Sequence, residues 1–225
     1  MSTTTLKILQ QLLADFGKLV ALLSIIIFLI NRLKYSKEFG WIISYLFFNL
    51  IISILAGYFW KREMNNLPLL HLNTLIEFFL FSVFYKYLLI DLDWFRKNIW
   101  GFIVVVCLMI IGNSIFFESI YTFNINSKTL VQIILIGYSV LYIYSYSIKL
   151  ENVNPEKQAI RLINAAVLIY YASSLFIFLF GNVFLKNDIK MHQGFWVVNA
   201  GLNLIFQLII LFGIWKVAFK PKTYI

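Results

Sequence analysis

Seven long apolar runs divide this sequence, and they constrain its fold more than any other feature. They lie at about 11–32, 39–60, 69–90, 98–117, 129–149, 159–182 and 194–216. A helix needs about 20 mainly apolar residues to cross a hydrocarbon core about 30 Å thick. The runs therefore predict an all-α membrane protein, a seven-transmembrane helix bundle that forms a single domain over residues 1–225.

The composition excludes several classes of protein. Of the 225 residues, 61% are hydrophobic and 13% are charged, whereas soluble domains average about 25% charged residues. Seven spans and their connectors leave no room for a soluble catalytic or DNA-binding domain. The net charge of +9 comes from Lys and Arg at helix ends, which indicates contact with lipid headgroups and not with nucleic acid. Cys107 is the single cysteine, so neither a disulfide nor a thiolate metal cluster is expected.

Basic residues are distributed unequally between the two sides of the predicted bundle. The smaller group falls on the side of the N-terminus: Lys7, Lys18, Lys61, Arg62, Lys128, Lys186 and Lys190. The rest of the 19 Lys and Arg residues fall on the other side, which predicts an outside N-terminus and a cytoplasmic C-terminus. The first 20 residues lack a basic region and a cleavage site, so no removable signal peptide is predicted.

The third span contains the acid that most needs an explanation. Glu77 is the only acidic residue well inside a predicted span, and a charge at the centre of a membrane helix costs about 3 kcal/mol on insertion scales. Glu77 should therefore be protonated, paired, or in contact with a polar cavity. Helical spacing places Asn73 on the same stripe, with His71 and Thr74 on the neighbouring one.

The seventh span offers a second polar stripe. His192, Trp196, Asn199 and Asn203 recur at steps of three or four residues and begin at the same predicted outer side, as does Glu118 in a connector. We expect these residues and those of span three to form an outward-facing polar pocket that binds a ligand. The alternative is that they only solvate the helix ends.

Two short patterns are the basis of a resemblance to a group of bacterial proteins. They are N-N-L-P-x-x-H-x-x-T-x-x-E-F at 65–78 and Trp196-x-x-Asn199-x-x-x-Asn203. Together they resemble small uncharacterised seven-span integral membrane proteins of Bacteroidota, over most of the chain. The resemblance implies a multi-pass protein of a bacterial cytoplasmic membrane, and it implies no activity.

Four functions stay open from the sequence. The first is a sensor or receptor-like module that binds a small or lipidic ligand and signals to a partner protein. The others are a proton-coupled permease that uses Glu77, a metal-dependent lipid enzyme that uses His71 and His192, and a scaffold subunit of a larger complex. A haem with His71 and His192 as its two axial ligands is a separate possibility. Because catalytic motifs are missing, the sequence favours a protein that is not an enzyme and has no cofactor. A retinal protein is excluded, because the span at 194–216 has no lysine in its middle for a Schiff base.

Overall fold

The computed structural model describes residues 2–32, 35–147, 154–187 and 189–219. Within these ranges the chain forms seven helices and no strand. The helices are α1 (Thr3–Ile30), α2 (Lys37–Lys61), α3 (Leu67–Leu88), α4 (Asp93–Phe116), α5 (Ile125–Ser147), α6 (Pro155–Asn187) and α7 (Ile189–Ala218).

The length and apolar character of these helices confirm the prediction of seven spans. All seven helices within the described ranges are long and apolar enough to cross a membrane. Some begin earlier than their apolar runs because polar caps extend them. Helix α1 begins at Thr3, where the Ser2 hydroxyl accepts a hydrogen bond from the Thr5 N–H at 3.1 Å. Helix α6 begins at Pro155, after Asn154, whose side chain accepts a hydrogen bond from the Lys157 N–H at 2.8 Å.

Six of the helices form a closed ring. Helix α1 packs on α2, α2 on α3, α3 on α5, α5 on α6, α6 on α7, and α7 on α1. Helix α4 lies outside this ring, against α3 and more loosely against α5. Odd-numbered helices begin at one face of the bundle, which we call the N-terminal face, and end at the opposite, C-terminal face.

Helix α4 shows how the bundle meets lipid. Its buried side chains follow a single stripe at helical spacing: Phe95, Ile99, Ile103, Val106 and Ile110. The opposite side exposes large apolar residues such as Val104, Leu108 and Ile115. An exposed apolar surface of this kind is what a hydrocarbon solvent requires. Between α4 and α5, near the N-terminal face, lies a groove of about 330 Å³.

The connector between α1 and α2 is fixed to the helices that end or begin at the C-terminal face. The Tyr35 hydroxyl donates a hydrogen bond to the Ile214 carbonyl at 2.9 Å. Burial raises the pKa of Tyr35 to about 12, which keeps this hydroxyl protonated and able to donate. The Ser36 N–H donates to the Glu156 carboxylate at 2.6 Å. The first turn of α6 and the last turns of α7 are thereby joined to the α1–α2 connector.

Candidate functional site

A buried ion pair lies at the centre of the polar interior. Lys128 in the first turn of α5 donates to both carboxylate oxygens of Glu77 in α3, at 2.8 and 2.7 Å. The side chains are 10% and 3% exposed, respectively. Asn73, one turn earlier on α3, places its amide nitrogen 3.5 Å from the second of these oxygens. Of the three states that the sequence allows for Glu77, the paired state is the one observed.

The position of Lys128 depends on the connector between α4 and α5, residues 117–124. Asn124 at its end is buried and donates to the Leu70 carbonyl at 3.1 Å and to the Thr74 hydroxyl at 2.6 Å. Helix α5 therefore begins level with Thr74, about one turn before Glu77 on α3. From there the stem of Lys128 reaches the Glu77 carboxylate.

His71 joins three parts of the fold. Its Nε2 lies 3.1 Å from the Thr122 carbonyl, and its Nδ1 lies 2.9 Å from the Ser114 hydroxyl. Because a carbonyl only accepts, Nε2 must bear a proton, and in the neutral ring Nδ1 accepts from Ser114. Both ring nitrogens are thus used to hold α3 to α4 and to the α4–α5 connector. A metal or haem iron would have to break one of these bonds.

Glu118 has a structural position at the start of α5. One carboxylate oxygen accepts from the Asn126 N–H at 2.8 Å, and the other accepts from the Asn113 amide at 2.6 Å. A carboxylate at a helix N-terminus satisfies a free N–H group and interacts favourably with the helix dipole. Glu118 therefore stabilises the first turn of α5, the turn that contains Lys128.

The polar residues of α7 make contacts of their own, from the N-terminal face to the middle of the helix. His192 Nε2 accepts from the Trp196 indole N–H at 2.9 Å. The Trp196 ring stacks on Phe123 of the α4–α5 connector, with ring centroids 5.7 Å apart. Asn203 donates to the Tyr170 hydroxyl at 3.3 Å. Within the described ranges no group of three His, Cys, Asp or Glu side chains could hold a metal ion, so His71 and His192 do not form a three-residue metal site with Glu77 or Glu118.

Side chains of α5 and α6 lie between the α3 and α7 sets. Helix α7 packs on α1 and α6, whereas α3 packs on α2, α4 and α5. Gln132, one turn after Lys128, donates to the Ser174 hydroxyl at 3.0 Å, and Ser174 donates to Asn199 of α7 at 3.0 Å. The polar interior is thus a cluster shared by α3, α5, α6 and α7.

This cluster contains a buried oxygen atom with unused hydrogen-bonding capacity. Among the residues that the structure describes, the Gln132 side-chain oxygen is fully buried and has no hydrogen-bond partner. Gln132 is one helical turn from Lys128. The Tyr171 hydroxyl is also fully buried and lies within electrostatic range of Glu77. Because an amide oxygen only accepts hydrogen bonds, the Gln132 oxygen is free to accept one from a donor that enters the cluster.

Aromatic rings close the cluster on the side of the C-terminal face. Phe81, one turn beyond Glu77, packs on Tyr45 and Tyr171 with centroid distances of 4.6 and 5.7 Å. Phe206 of α7 packs on Tyr170 at 4.9 Å. We call these five residues the aromatic layer, and it separates the Glu77 cluster from the rest of the bundle interior.

The pocket predicted from the sequence lacks four members of the cluster: Lys128 and Gln132 of α5, and Tyr171 and Ser174 of α6. Lys128 stands just before the apolar run at 129–149, so the pattern of spans places it in a connector, where its charge contributes to topology. The signal that could identify it is that pairing with a cation is one of the states open to the buried acid Glu77. Gln132 stands one turn after Lys128, which places it on the same stripe.

These observations define the protein as a multi-pass membrane protein built from a seven-helix bundle in a lipid bilayer. Comparison with protein-family models, with curated proteins and with solved structures gives no match for this chain.

Proposed function

We propose that this protein is a sensor or receptor-like module of a bacterial cytoplasmic membrane. It binds a small or lipidic ligand in the polar cluster near its N-terminal face, which faces outward, and signals to a partner protein at its C-terminal face. The observation that supports this most is the Glu77–Lys128 pair, which is buried on one side of the aromatic layer.

Charged groups within a membrane bundle are functional candidates because hydrophobic packing would serve the fold at lower cost. Replacing a buried ion pair by apolar side chains is often neutral or stabilising. Charged residues inside membrane proteins usually face a cavity or mark a ligand or ion site. The unpartnered oxygen of Gln132, one helical turn from Lys128, is a further polar group in the same cluster.

The one-sided position of the cluster favours a sensor over a permease. A permease must connect its site alternately to both faces, commonly through helices that are broken near the midplane. Here the layer formed by Phe81, Phe206 and their neighbours covers the cluster toward the C-terminal face. The bonded state of both nitrogens of His71 also makes a histidine-dependent enzyme a weaker explanation.

Accessibility to a charged thiol reagent tests the proposal. In a Cys107→Ser background, Asn199→Cys introduces one thiol at the half-buried edge of the cluster. Membrane vesicles are treated with a membrane-impermeant methanethiosulfonate from either side. We expect Asn199→Cys to react only from the side on which Thr4→Cys reacts, since Thr4 is exposed at the N-terminal face. Ile205→Cys, which faces lipid on the same helix, is the matched control and should stay unmodified.

Two results would contradict the proposal. Reaction of Asn199→Cys from both sides would indicate a transport pathway and favour the permease. No reaction from either side, with Thr4→Cys fully modified, would indicate a sealed structural cluster.

A further inference from the structure

We propose that Glu77, Tyr171 and Phe178 form a binding site for an organic ammonium ion, and that the Lys128 ammonium occupies this site as an internal competitor. The inference rests on the proposed function, because it names the chemical class of the ligand for the same cluster. In this proposal the Lys128 side chain moves out of the site when the ligand binds.

The surroundings of the Lys128 ammonium are those of a cation site. Its nitrogen contacts both oxygens of Glu77 at 2.7 and 2.8 Å. The ring centroids of Tyr171 and Phe178 lie 5.9 Å from the same nitrogen. A carboxylate together with aromatic faces within about 6 Å is the arrangement by which proteins recognise alkylammonium groups.

The neighbouring polar atoms favour a cationic ligand over an anionic one. The amide nitrogen of Gln132 is already used, because it donates to Ser174. Within the described ranges the Gln132 oxygen is buried and unpartnered, and an amide oxygen only accepts hydrogen bonds. A ligand with an N–H donor could satisfy this oxygen, whereas a carboxylate ligand would meet one cation that is already paired with Glu77.

Lys128 can leave the site without leaving a net charge behind. It stands in the first turn of α5, and a lysine near a helix end can extend its stem so that the ammonium reaches the interface. When a ligand ammonium takes its place at Glu77, the buried carboxylate stays neutralised. The exchange moves a charged side chain to the N-terminal face, next to the α4–α5 connector. This gives the bundle two states that a ligand can bias.

Acylation of Lys128 measures the exchange directly. The purified full-length protein in lipid nanodiscs is treated briefly with a water-soluble acetylating ester, and modification is quantified by peptide mass spectrometry. The probe is N,N-dimethylbutylammonium, a tertiary amine that donates one N–H and does not form a stable amide with the ester. We expect it to raise Lys128 acetylation at least about fivefold, while the exposed Lys7 and Lys61 are unchanged. Butyrate, with the opposite charge, should have no effect.

Two variants complete the test. In Glu77→Gln, Lys128 should be acetylated equally with and without the probe. In Lys128→Met, calorimetry should give tighter binding of the probe, by about tenfold, because no internal competitor occupies the site. Asp15→Asn, which removes the carboxylate from the exposed pair with Lys18, is the matched control and should behave like the unmodified protein.

The outcomes separate this inference from the proposed function. Lys128 acetylation that does not respond to the probe, together with no binding to Lys128→Met, would overturn the ammonium site. A response to butyrate instead would overturn the assigned charge of the ligand. If either result is obtained but Asn199→Cys still reacts from one side only, the proposed sensor function is retained with a ligand of another chemical class.

Discussion

The buried side chains of Glu77 and Lys128 should be strongly coupled in energy. The exposed pair of Asp15 and Lys18 should be coupled only weakly. At 2.7 Å and an effective dielectric constant of about 20, Coulomb's law gives a gross attraction of about 6 kcal/mol. Loss of one partner leaves the other buried without compensation and typically costs about 3–5 kcal/mol. We therefore expect Glu77→Gln and Lys128→Met each to lower the free energy of unfolding by about that amount.

The double variant provides the decisive comparison. Glu77→Gln with Lys128→Met removes both charges, so its free energy of unfolding should lie within about 2 kcal/mol of the original protein. The assay is reversible unfolding in mixed micelles with increasing dodecyl sulfate, followed by tryptophan fluorescence. Asp15→Asn and Lys18→Met form the control cycle, since that pair is at 2.8 Å but its side chains are 52% and 29% exposed. Its coupling should be below about 1 kcal/mol. If the two buried substitutions are additive, so that the double variant loses the sum of the single losses, the reasoning is refuted.

Other contacts give predictions for the same unfolding assay. Asn164→Leu should lower the free energy of unfolding by about 2 kcal/mol, because Asn164 accepts hydrogen bonds from the buried Tyr85 hydroxyl at 2.7 Å and from Ser139 at 2.9 Å. An unchanged free energy of unfolding would mean that these hydrogen bonds do not contribute to stability. Gly213→Val should lower the free energy of unfolding by about 1–3 kcal/mol, because even a Cβ at that position would lie 3.2 Å from a side chain of α6. Gly101 has open space around it, so Gly101→Val should change that free energy by less than about 0.5 kcal/mol. Equal losses in the two glycine variants would contradict the packing argument. A metal chelator should leave the unfolding midpoint unchanged, since both nitrogens of His71 are hydrogen-bonded within the protein. A lower midpoint in the presence of the chelator would indicate a bound metal ion.

The number of helices could be predicted from the sequence because membrane insertion depends on a local property, the length of each apolar run. Helix ends were predicted less well. Helix α1 begins at Thr3 and not near residue 11, because the backbone hydrogen bonds of a helix do not require apolar side chains and Ser2 supplies a cap. Such caps extend a helix past the hydrophobic segment that reveals it.

The site was harder to predict because it depends on which helices are neighbours. The sequence leaves pairing as one of three possible states of Glu77, and it does not indicate that the α4–α5 connector is anchored by Asn124 to α3. That anchoring brings Lys128 level with Glu77. The polar stripe on α7 can likewise be predicted from helical spacing. Its connection through Ser174 of α6 to Gln132 of α5 cannot, because it depends on which helices pack together. The outward orientation of the N-terminus and the identity of a ligand stay predictions.

The chain order of the ion pair has a consequence for biosynthesis. Glu77 precedes Lys128 by 51 positions, so α3 leaves the ribosome before its cationic partner has been made. Until α5 arrives, the carboxyl group of α3 must be protonated, or shielded by the insertion machinery, to avoid the cost of an isolated charge in hydrocarbon. Pairing with Lys128 can then commit α5 to its place beside α3. The pair should therefore form late in membrane assembly, and chains that lack Lys128 should remain longer with the insertion and quality-control machinery.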